Sequence, residues 1–230
     1  LTFRITAGEL SSLGPRHLAF GLLCTWAAGV GRYWDDPDAS VLQHFGAGSV
    51  AYVLVLSALL WLIAAPLRPR NHSYRRLLTF VTMTSPPALL YAIPVERFTD
   101  VPTAASINLW FLAIVAIWRV SLLAFYFSRG LSLRPGAIAV ATLLPITLII
   151  TALAGLNLEH ATFSIMGGLR DPSAKDRVYA VVVGLSFLSI AMFSLLLPVY
   201  LWIYVVIRRS GSTPPAPPIE PPFSGPPGAL

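Results

Sequence analysis

Between His17 and Ile207 the apolar residues fall in stretches of about 18 or more, long enough for a helix to cross a hydrocarbon core of ~30 Å. Lipid offers no partner for a backbone N–H or C=O, so only helices or closed barrels can span it. Barrel strands would alternate apolar and polar residues, and these stretches do not. The sequence therefore predicts an all-α, polytopic integral membrane protein, a six-transmembrane-helix bundle with spans His17–Tyr33, Phe45–Ala65, Arg76–Ile93, Ala104–Phe127, Gly136–Leu156 and Tyr179–Ile207. Composition points the same way: 56% of residues are hydrophobic and 11% charged, against about 25% charged in soluble domains.

Three regions follow: a cytoplasmic amino-terminal segment over 1–16, the membrane domain over 17–207, and a proline-rich disordered cytoplasmic tail over 208–230. The first span is too long for the apolar core of a signal peptide and is expected to be retained. Outside the spans, ten basic residues fall on the side of both termini and five on the other, so the positive-inside rule places both termini in the cytoplasm. All basic residues but Lys175 are arginine, which with abundant Ala, Leu and Pro suggests a bacterial chain and hence the bacterial inner membrane. Basic charge on such a chain reports orientation, so nucleic acid is not an expected partner; membrane lipid and a membrane-protein partner are. Cys24 is a lone thiol with no internal disulfide partner.

The third expected span carries two consecutive prolines, Pro86 and Pro87, near its middle. Each lacks an amide hydrogen and its ring clashes with the carbonyl one turn back, so the helix is expected to break there. Ser85 then caps a short new half-helix, while the hydroxyls of Thr82, Thr84 and Ser85 bond the freed carbonyls and the exposed amides attract negative charge. Pro145 and Pro198 are expected to break or kink the fifth and sixth spans in the same way.

Arg119 is the one formal charge well inside any expected span, and no acidic residue lies in a span to offset it. Counting from the cytoplasmic ends, Arg119 lies roughly 12 Å in and Ser85 roughly 13 Å in. Thr25, Ser57, Pro145, Thr147 and Pro198 fall near the same level. This convergence predicts an anion- or lipid-headgroup-binding layer made by Arg119, Ser85, Thr84 and Thr82. The expected function is that of a non-enzymatic multi-pass membrane protein, transporter-like or an accessory subunit.

The alternative is a membrane-bound enzyme using outer-loop carboxylates. Asp35, Asp36 and Asp38, with His44 behind them, are weak candidates for a divalent cation, joined by Glu159 and His160. Their spacing matches no calcium loop, so no metal is expected. Glu96 and Arg97 read as an interface pair. His17, His44, His72 and His160 all fall at span boundaries, which argues against a haem between helices; no cofactor is expected. Nucleophile elbows, zinc-protease helices and phosphate-binding glycine loops are absent from the sequence.

Overall fold

The computed structural model describes residues 6–34, 39–69, 72–156, 158 and 175–210. Among them every regular element is a helix. The α-helices are α1 (Ala7–Ser11), α2 (Pro15–Tyr33), α3 (Val41–His44), α4 (Ala47–Ala64), α5 (Tyr74–Met83), α6 (Val101–Arg129), α7 (Pro135–Gly155) and α8 (Lys175–Ser210). Short 3-10 segments cover Ala65–Leu67, Pro86–Ala92 and Val95–Arg97. The proline-rich tail beyond Ser210, the Asp35–Asp38 stretch, Glu159 and His160 lie outside the described residues.

Among the described residues, four stretches are both long and apolar enough to cross a membrane: Ala47–Leu67, Pro102–Arg129, Pro135–Gly155 and Val181–Arg209. They correspond to the second, fourth, fifth and sixth expected spans. The helix at the first, α2, has 19 residues but includes His17, Arg16 and Arg32 and is less apolar. At the third, α5 has only 10 residues and gives way to the 3-10 segment Pro86–Ala92.

The least apolar of these helices is the most enclosed. Every residue from Leu77 to Thr82 of α5 is buried, with α2 and α4 packed along it and the Phe80 ring stacked on Tyr126 of α6 at 4.3 Å. The main core cluster gathers Val53, Leu60, Leu77, Phe80, Leu122, Phe127 and Ala141 from α4, α5, α6 and α7. By contrast the most apolar window of α8 has no residue buried, and α8 lies against α7. Its Tyr200 hydroxyl donates to the Ile63 carbonyl of α4 at 3.0 Å. In a bilayer this arrangement shields the hydroxyl-rich helix with protein and turns the apolar ones outward.

Helices α2 and α5, with the 3-10 segment after it, run in parallel at very close range. A Cβ built on Gly21 would lie 2.5 Å from Thr82 Oγ1, and one on Gly31 would lie 2.5 Å from Ala92 Cβ. Between these points Ala28 and Ala88 share a small cluster with Val115. Gly29 turns to α4, where its added Cβ would be 2.9 Å from the Gly46 carbonyl oxygen. Small residues at these positions let the backbones meet. Gly46 itself sits at φ +64 ahead of α4, in the left-handed region that glycine accepts without strain.

The amino-terminal segment is docked on the bundle. Thr6 and Glu9 form a reciprocal capping box at α1, and hydrogen bonds from the Thr6 backbone and hydroxyl hold the Glu9 carboxyl below its ordinary range. Leu10 is buried in the core cluster that also holds Leu67, Leu131 and Ala137.

Candidate functional site

The site grows from the end of α5. An α-helix would take the Thr84 carbonyl as acceptor for the amide four residues on, at Ala88. That amide bonds instead to Ser85 O at 2.8 Å, the tighter 3-10 pattern, and the Ser85 amide bonds to Thr82 O at 3.0 Å. Thr84 O is thereby released, and Arg119 Nε of α6 donates to it at 3.3 Å. An Nη of the same guanidinium donates to Ser85 Oγ, also at 3.3 Å. The Ser85 hydroxyl is fully buried and lies 2.7 Å from Thr25 Oγ1 of α2. Thr25 also donates to the Gly21 carbonyl at 2.8 Å. A continuous polar chain thus runs from α2 through the interrupted segment to α6.

The structure brings together Arg119, Ser85 and Thr25, all placed at one level from the sequence, and it uses Thr84 through its carbonyl. The Thr84 hydroxyl turns back to Val81 O at 2.7 Å, and the Thr82 hydroxyl to Thr79 O at 2.9 Å. Thr82 therefore borders the site through its contact with Gly21 and makes no hydrogen bond to Arg119. Ser57 and Thr147 likewise bond carbonyls of their own helices. Pro145 and Pro198 sit inside α7 and α8, which continue through them.

Two details differ from the sequence expectation. Ser85 keeps helical dihedrals, φ −78 and ψ −25, and its hydroxyl makes no capping bond because Thr25 and Arg119 occupy it. The amide end of the 3-10 segment offers no donor to a ligand: Pro86 and Pro87 have no N–H, and the neighbouring amides are bonded to carbonyls. Positive charge at the site comes from guanidinium groups.

Arg119 is half-buried, and the two acceptors its guanidinium reaches among the described residues, Thr84 O and Ser85 Oγ, are uncharged. The Arg32 guanidinium carbon lies 4.5 Å from the Tyr91 ring centroid, a cation–π contact, while its buried Nε has no hydrogen-bond partner among the described residues. The Arg32–Tyr91 contact was not foreseen. Arg32 falls at a span boundary, where a cation reads as a topology marker; the signal that could have found it is its register, one residue past Gly31 on the helix that carries Thr25.

Elsewhere, Arg97 packs its guanidinium 4.9 Å from the Trp34 ring centroid, an anchoring contact at the α2 end of the bundle. His44 Nδ1 lies 3.2 Å from Ser40 O within its own short helix. Among the described residues no group of three His, Cys, Asp or Glu side chains is placed to hold a metal ion. Comparison of the sequence with protein-family models and curated proteins, and of the fold with solved structures, finds no match.

Proposed function

We propose that the chain is a non-enzymatic multi-pass membrane protein, transporter-like or an accessory subunit, whose buried polar layer around Arg119 binds an anion or a lipid headgroup. In this reading the bundle crosses the bacterial inner membrane six times with both termini in the cytoplasm, and α5 with the 3-10 segment Pro86–Ala92 forms an interrupted third span. The observation that carries the proposal is that, among the described residues, Arg119 pairs with uncharged acceptors only, Thr84 O and Ser85 Oγ. A guanidinium has five N–H donors in a fixed fork, and in a membrane interior its charge calls for an opposite one.

The test is anion-dependent thermal unfolding of the purified protein in neutral detergent, with chloride, acetate, sulfate, inorganic phosphate and phosphatidylglycerol added in turn. A ligand that binds only the folded state raises the midpoint. At least one of these anions is expected to do so for the parent. Thr25→Val keeps the side-chain volume but removes the hydroxyl that orients Ser85, and is expected to reduce the shift; Arg119→Leu is expected to abolish it. The reading fails if no anion stabilises the parent, or if both variants shift as the parent does. Labelling of Ser85→Cys from each side separates a water-filled transport path from a site covered by a partner subunit.

A further inference from the structure

The 3-10 segment Pro86–Ala92 runs for seven residues, whereas 3-10 runs beyond about four are uncommon because their hydrogen-bond geometry is poor. Side chains of neighbouring helices hold it at both ends. At its start Arg119 Nε donates to Thr84 O at 3.3 Å. At its finish Trp34 Nε1 donates to Ala92 O at 3.0 Å, and the Arg32 guanidinium carbon lies 4.5 Å from the Tyr91 ring centroid. The first of these contacts stands where an α-helix would place its own bond. Thr84 O is the α-helical acceptor for the Ala88 amide, which bonds Ser85 O at 2.8 Å instead. One carbonyl thus has two rival donors, and each selects a different helix. Ser85, at φ −78 and ψ −25, is compatible with both. Pro86 and Pro87 fall in the first turn of both, where an absent N–H is tolerated.

We propose that Arg119 is a latch on this segment: with its guanidinium on Thr84 O the segment is 3-10, and once the guanidinium is drawn off, the Ala88 amide takes Thr84 O and the segment becomes α-helical. The trigger rests on the anion-site reading above. An anion on Arg119 competes with Thr84 O for the same N–H groups and so binds the released form better, which is the condition for a ligand to shift an equilibrium. The change starts after Ser85, whose own amide stays on Thr82 O. At rises of about 2.0 and about 1.5 Å per residue the seven residues shorten by about 3.5 Å, and the tighter winding of the 3-10 form means that the far end rotates by about 140° relative to Ser85. Tyr91 then leaves Arg32 and Ala92 O leaves Trp34, so the contacts at the finish oppose release and favour return.

Pulsed dipolar electron resonance between nitroxides at Arg75→Cys and Ile93→Cys, both exposed positions, reads the length of α5 plus the segment in a full chain carrying Cys24→Ala. Arg119→Leu is expected to shorten the mean distance by about 3 Å. Arg119→Lys, whose long stem still brings an N–H to a single carbonyl, is expected to stay with the parent. Trp34→Phe keeps a ring under Arg97 but removes the donor to Ala92 O, and is expected to give long and short distances together. Chloride, acetate, sulfate, inorganic phosphate and phosphatidylglycerol are then added to the labelled parent, and the one that raises its unfolding midpoint is expected to produce the short distance. Arg119→Leu and Trp34→Phe both at the parent's distance overturn the latch, and the anion site then stands or falls on its own unfolding shift. Shortening in both variants, with a stabilising anion that leaves the parent long, overturns release by an anion while the site stands. Shortening in both variants with no anion effect of either kind supports the latch and removes the anion-site reading.

Discussion

Arg119 serves a carbonyl before it serves any ligand. The proline pair strips the chain of two amides, the 3-10 pattern takes up one carbonyl, and the guanidinium reaches the one released at Thr84. An unsatisfied buried carbonyl costs about 1–3 kcal/mol, so this bond has a structural role apart from the proposed anion binding. That Arg119, Ser85 and Thr25 would meet was legible in the sequence from their shared level. Its acceptor was not, because the choice between an α and a 3-10 continuation after Ser85 depends on what α6 places opposite. His72 illustrates a second residue-scale effect outside the spans. Its ring stacks on Trp61 at 5.3 Å with planes 7° apart, its Nε2 is buried without a partner among the described residues, and burial lowers its pKa from the ordinary value of 6.5. The unfolded chain therefore takes up the proton first as pH falls. The stabilising contribution is complete above pH 6.5 and is lost progressively below it. Thermal unfolding of the parent between pH 7.5 and 5 should show a falling midpoint on this account, and His72→Phe, which keeps the stack, should flatten the fall.

At the scale of elements, helix existence followed from long apolar runs, and the ends of α4, α6 and α7 lie within about three residues of expectation. What the runs did not reveal is which helix would be central. Hydropathy ranks α5 low, yet its threonines bond carbonyls of their own helix, at Arg75, Thr79 and Val81, and so present a neutral surface to α2 and α4. The glycines that admit α5 to the centre are scattered along α2 and carry no distinctive spacing. Gly21→Ala should expose the dependence: the new methyl would meet Thr82 side chain and backbone at 2.5–2.8 Å, and overpacking of this kind costs about 1–3 kcal/mol. Gly48→Ala and Gly184→Ala, with nothing within 4 Å of the added carbon, are the controls. Their unfolding midpoints should stay level or rise slightly, as alanine favours a helix over glycine by up to about 1 kcal/mol.

For the whole molecule, the outward faces of α6 and α8 make a measurable claim about surroundings. Trp110 and Trp202 are 69% and 67% exposed, while Trp118 packs against the main core cluster. In vesicles of brominated phospholipid, single-tryptophan variants retaining Trp110 or Trp202 should be strongly quenched and one retaining Trp118 much less. Equal quenching of all three would mean that the bundle opens in lipid; protection of Trp202 alone would place a partner chain on α8. The burial order of the helices was not readable in the sequence, since lipid and protein interior are alike in polarity and hydropathy does not distinguish them.

The bond from Arg119 to Thr84 also sets a sequence of events during synthesis. In the proposed six-span bundle, residues 74–92 leave the ribosome before the helix that completes them, with a released carbonyl and a proline pair that hydrocarbon cannot accommodate alone. Until residue 119 emerges and reaches back across 35 positions, that segment has to wait in water, at the headgroups or beside the insertion machinery. A nascent chain cut short before α6 should therefore leave its α5 accessible from the side on which it was made.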